Sequence, residues 1–152
     1  MPTSSLLTGP LAGLAGGAAY LAVMRADLAV LGNNTDDLIL LGGIFSRDPL
    51  TARRIGLLIH AGNSMAVGMV YAIVAARLSG PGWMRGVAFA TAENVALYPI
   101  MRLIDAHPAI REGRLDAYWM WTAFGQAVVR HIAFGAVMGG VFERLRTGAT
   151  AI

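Results

Sequence analysis

The sequence predicts an all-α membrane protein, a bundle of four transmembrane helices, and three observations lead there. Apolar residues make up 56% of the chain and charged ones only 14%, where a soluble domain carries about a quarter charged. Mean hydropathy is positive, at +0.58. Four stretches run nearly free of charge, at 6–24, 55–76, 86–101 and 117–142, and a hydrocarbon core takes roughly 20 helical residues to cross. Helices are expected because an open strand would leave backbone groups unpaired in lipid. The 152 residues are read as a single integral membrane domain.

The first helix is expected over about 6–27. Its leader "MPTSS" carries no positive charge and its apolar run is too long for a secretory signal, so it is expected to stay in the chain. The second helix is expected over 54–77 and the third over 84–104. The third has an uncharged run of only sixteen residues, so Leu103 and Ile104 extend it while Arg85 and Arg102 snorkel toward headgroups. The fourth is expected over 117–144, with Tyr118, Trp119 and Trp121 as an aromatic belt at its start. Between the first two, Thr35, Asp36 and Asp37 make an N-cap ahead of "LILLGGIF". That piece is too short to span and reads as an interfacial or re-entrant segment over about 36–45, with a pore loop or lid as the functional alternative.

The "NNT" at 33–35 matches a glycosylation sequon but reads as a polar turn. "LSGPGWMR" is the tight turn between the second and third helices, and Pro108 ends the third. Seven arginines (25, 47, 53, 54, 102, 111, 114) lie on the side of the 1–2 and 3–4 connections and four (77, 85, 144, 146) on the other. The positive-inside rule then puts those connections in the cytoplasm and the termini outside, although seven acids match the seven arginines. His60, Gly68 and Tyr71 recur at the same offsets as His131, Gly139 and Phe142, which suggests a parallel duplication of a two-helix unit.

The polar residues inside these runs are the candidate site. "ATAENVALYPIMR" puts Glu93 and Asn94 mid-helix, and Arg130 lies near the middle of the fourth helix. At similar depth on different helices the two charges are expected to pair, because an unpaired arginine at the bilayer centre costs about 2.5–3.5 kcal/mol. Gln126 shares Arg130's face, while His131 is turned by about 100° from it. His60 and Asn63 share one face of the second helix. Two intramembrane histidines raise bis-histidine haem b or metal ligation by His60 and His131. An expected depth offset of about 10 Å, at 1.5 Å per residue, argues against one shared iron, so no cofactor or metal is expected and interhelical hydrogen bonds are the plainer role.

Gly9, Gly13 and Gly17 form one small-residue ridge, and Gly135 with Gly139 another; close packing within the chain is expected, with a homo-oligomer or membrane partner subunit as the alternative. Asp27, and Asp105 with His107, read as solvated surface charges. Twelve arginines without a lysine, spread singly or in pairs, do not build a nucleic-acid surface. With no cysteine there is no disulfide, thiol nucleophile or iron–sulfur cluster. P-loop, GxSxG, HExxH and dinucleotide signatures are missing from the sequence, so ordinary kinase, hydrolase and dehydrogenase readings fall away and an intramembrane enzyme stays as a further alternative.

The run "HAGNSMAVGMVYA", "AENVALYPIMRLIDAHP" and "RHIAFGAVMGGVFERL" resembles small four-helix membrane proteins of high-GC bacteria, a family of uncharacterised activity. The resemblance covers the chain from about Leu28 onward; it implies a bacterial membrane location and carries over no functional residue. The expected function is that of an accessory or structural membrane protein with an interhelical polar latch, with the lipid bilayer as its surroundings. A small proton-coupled or small-molecule transporter is the alternative, and a haem-binding electron-transfer protein the second.

Overall fold

The computed structural model of the chain describes residues 4–149, and every element among them is helical. Three helices are long and apolar enough to cross a membrane, at Leu7–Leu31, Pro49–Arg77 and Gly82–Ile104. The first lies within α1 (Ser4–Leu31), and the second is α3 (Pro49–Val74) with a 3-10 turn to Arg77. Asp48 caps α3 by accepting from the Thr51 amide at 2.8 Å, and Pro49 sits at the first helical position, where no hydrogen bond is lost. The helix expected from 54 therefore starts about a turn earlier. The third span is α4 (Gly82–Leu97), a 3-10 turn over Tyr98–Ile100 and a short α5 (Met101–Ile104); Pro99, which cannot donate a backbone bond, lies in that turn. Gly80, at φ +96°, makes the bend between α3 and α4 in a conformation side chains avoid.

A fourth long helix, α7 (Trp121–Ala149), has the length to cross, but Gln126, Arg130 and His131 interrupt its apolar run. It starts later than the expected 117, because Tyr118 and Trp119 belong to the preceding loop, where their amides donate to Asp105 at 2.7 and 3.2 Å. Asp105, expected as a solvated charge, thus shapes the entry to α7.

Missing side chains set the helix packing. α1 lies antiparallel to α3: a Cβ on Gly13 would strike the Ser64 carbonyl oxygen, and one on Gly68 the Gly9 carbonyl oxygen. α4 meets α7 in the same way, Gly86 against Gly135 and Gly139 against Gly82. Gly16 brings α1 against Phe134 and Met138 of α7. The order across the bundle is α3, α1, α7, α4. Tyr71, Phe134, Met138 and Phe142 fill the core between them. At this end Arg85 pairs with Glu143 at 3.0 Å and is 14% exposed, where snorkelling to headgroups was expected; the Tyr71 hydroxyl donates to the Gly82 carbonyl at 3.3 Å.

The opposite end is closed by two small helices, α2 (Asp37–Gly42) and α6 (Pro108–Arg111). Asp36 caps α2 by accepting from the Leu38 and Ile39 amides. Gly42 and Gly56 let α2 lie on the α3 backbone, and Ile39 and Leu40 join Ala109, Leu115 and Tyr118 in a second apolar core. α2 is a packed element of the bundle.

Candidate functional site

The buried polar centre is built around Arg130, whose side chain is 2% exposed. Its Nε donates to Asp27 Oδ2 and its Nη2 to Asp27 Oδ1, both at 2.7 Å, a bidentate pair. Nη1 donates to Asp37 Oδ2 at 2.8 Å and the Thr35 carbonyl at 3.0 Å, and Nη2 also to the Thr35 hydroxyl at 3.1 Å. The Tyr20 hydroxyl donates to the same Asp37 oxygen at 2.7 Å. Gln126, one turn before Arg130, donates to Asp27 and Asn33 at 3.1 Å each and accepts from Thr35 at 3.2 Å. One guanidinium on α7 thus ties down the end of α1 and the start of α2.

Two expectations are corrected here. Arg130 pairs with Asp27 and Asp37 and not with Glu93, which makes no hydrogen bond or ion pair to any described residue. Asp27, read as a solvated charge, is 13% exposed and half of a buried ion pair. The physical reason is register. α7 runs from Trp121 to Ala149, so Arg130 lies about 13 Å along it at 1.5 Å per residue, in the half of the helix on the α2 side. The sequence did carry a signal: Gly13, Tyr20 and Asp27 are spaced seven apart, so the glycine face of α1 continues through the tyrosine to the acid.

Glu93 faces a cavity of about 240 Å³, with His60 and Asn63 of α3 on the other wall and Tyr20, His131 and Asp37 also lining it. A smaller cavity of about 90 Å³ shares Tyr20, Asp37 and His131 with it and takes in Asn94 and Arg130. Asn94 is 6% exposed, and its Nδ2 is buried without a hydrogen-bond partner. The expected site residues therefore divide: Arg130 and Gln126 belong to the ion-pair network, Glu93, His60 and Asn63 to the larger cavity, Asn94 to the smaller, and His131 to both. The five packing glycines, Gly9, Gly13, Gly17, Gly135 and Gly139, all meet a neighbouring helix of the same chain.

The two histidines flank one tyrosine, with ring centroids 5.4 Å (His60) and 5.3 Å (His131) from Tyr20. His60 Nε2 lies 3.1 Å from the Gly17 carbonyl oxygen and His131 Nδ1 2.7 Å from that of Ala127. A carbonyl only accepts, so these nitrogens carry the protons. Among the described residues no group of three or more His, Asp or Glu side chains is placed to hold a metal ion.

Neither the curated proteins nor the solved structures compared with this chain gave a match. The model of a family of unknown function, DUF6789, matches residues 3–151, so the chain belongs to that family.

Proposed function

We propose that the chain is a multi-pass protein of the bacterial cell membrane with an accessory or structural role, in which the Arg130 network is a latch between α1, α2 and α7. The observation that carries this is the complete engagement of the guanidinium by Asp27, Asp37 and Thr35. No N–H of Arg130 is left to hold a substrate. α7 is read as a fourth span, because the arginine that lowers its hydropathy is turned inward and neutralised, which offsets most of its insertion cost. The arginine distribution supports cytoplasmic 1–2 and 3–4 connections and termini outside. The repeated antiparallel glycine contact, α1 on α3 and α4 on α7, supports a duplicated two-helix unit. Both ridges are engaged within the chain, so a second copy or a partner subunit would use the lipid-facing sides.

A latch and a reaction centre respond differently to charge removal. Arg130→Gln leaves two buried carboxylates facing each other and is expected to cost about 3–5 kcal/mol. Adding Asp27→Asn and Asp37→Asn removes the stranded charges and is expected to restore most of the melting temperature in detergent and the growth of a deletion strain. A triple variant that folds as well as the natural chain yet fails to restore growth would give the cluster a chemical task and overturn the reading.

A further inference from the structure

We propose that the larger cavity binds a small organic cation, an ammonium or guanidinium head carried on a compact apolar body. The proposal does not rest on the latch. It starts from Glu93, a carboxylate on a membrane-spanning helix with no hydrogen bond or ion pair among the described residues. A charge in that position is costly unless countered, and among the described residues Glu93 has no ion-pair partner: Arg130, the guanidinium of the neighbouring cluster, is shared between two other carboxylates. Those two exceed it by one negative charge, and Glu93 adds another. The local field therefore favours a cation.

The two histidines that line the cavity have the matching character. With Nε2 of His60 and Nδ1 of His131 donating to backbone carbonyls, the free ring nitrogens, Nδ1 and Nε2, are lone-pair acceptors in the neutral imidazoles. Together with the carboxylate they suit a ligand head that only donates. An anion would find no donor in Arg130. The body of the ligand meets the rings of Tyr20 and Phe134 and the side chains of Val67 and Met101; aromatic faces attract cations as well as apolar groups. At about 240 Å³ the space limits the ligand to a small molecule of roughly ten heavy atoms. Asn63, exposed on α3 at the opposite wall, makes no hydrogen bond to a described residue and marks the mouth.

The test is calorimetric titration of the detergent-purified full chain with phenethylammonium, and with 2-phenylethanol and phenylacetate as its neutral and anionic counterparts. The expected result is binding of the ammonium, at least about 30-fold weaker for the alcohol and for Glu93→Gln, and no binding of the carboxylate. Glu112→Gln, an acid in the α6 loop, should leave the affinity unchanged. Melting curves separate lost binding from lost fold, and Glu93→Asp, which keeps the charge, should retain most of the affinity. Equal affinity for the alcohol, affinity unchanged by Glu93→Gln, or no binding of the ammonium would each overturn the proposal. So would a Glu93→Gln variant whose native mass falls while ligand binding persists, because Glu93 would then belong to a subunit contact.

Discussion

At Arg130 the cost of removing a guanidinium from water is met by five hydrogen bonds, three of them to carboxylates, and the position tolerates no smaller donor set. Lysine keeps the charge but cannot make the bidentate contact with Asp27, so Arg130→Lys is expected to lower the melting temperature while Asn34→Ala, at the exposed edge of the same loop, does so less. Outside the spans, His107 gives a residue-level prediction with a sign. Its Nδ1 accepts from the Ala109 amide at 3.1 Å and caps α6. Burial, and then the Arg114 guanidinium, hold its pKa below the ordinary histidine value. The folded state thus disfavours the protonated ring, and below about pH 6.5 the unfolded chain binds more protons than the folded one. The stability His107 gives is complete above that pH and is lost as pH falls toward its folded pKa. Melting curves from pH 8 to 5 are expected to fall more steeply for the natural chain than for His107→Asn, which caps without titrating. Parallel slopes would remove His107 from this role.

Among the elements, the glycine contacts make the sharpest claim. Gly86 meets the Gly135 carbonyl across the α4–α7 interface, while Gly62, on α3, faces open space. Gly86→Ala is expected to cost about 1–3 kcal/mol by forcing the backbones apart, and Gly62→Ala to be neutral or stabilising by up to about 1 kcal/mol, both read from thermal melts in a fixed detergent. The glycine ridges of α1 and α7 were legible in the sequence as small residues four apart, but not the α3 and α4 backbones they meet; the helical class and the Asp36 cap of α2 were legible too, because periodicity and capping are local. What was not legible was depth. Counting from the charges that bound a span placed Arg130 midway, but the end of α7 depends on Asp105 pulling Tyr118 and Trp119 out of the helix, a contact between segments that spacing does not encode. With that register set, Asp27 near the end of α1 and Asp37 at the start of α2 come within reach and Glu93 does not. The division of the polar residues into a latch and a cavity follows from the same shift.

For the molecule as a whole, three helices have the length and apolarity to cross, and α7 decides between three and four spans. A chain with no cysteine allows single-cysteine labelling without background. Ser79→Cys and Thr147→Cys are expected to react with a membrane-impermeant maleimide in intact cells, and Ala106→Cys only after permeabilisation. If Thr147→Cys reacts together with Ala106→Cys, α7 does not cross. The bundle's shape follows from two glycine-packed helix pairs joined through α1 and α7, with the Arg130 network fixing the α2 end of that joint. The most direct test of that joint is a set of double-mutant cycles on thermal stability between Arg130→Gln and, in turn, Asp27→Asn, Asp37→Asn and Glu93→Gln. Coupling of about 0.5–3 kcal/mol is expected with Asp27 and with Asp37, and none beyond about 0.5 kcal/mol with Glu93; strong coupling to Glu93 and none to Asp27 would contradict the account.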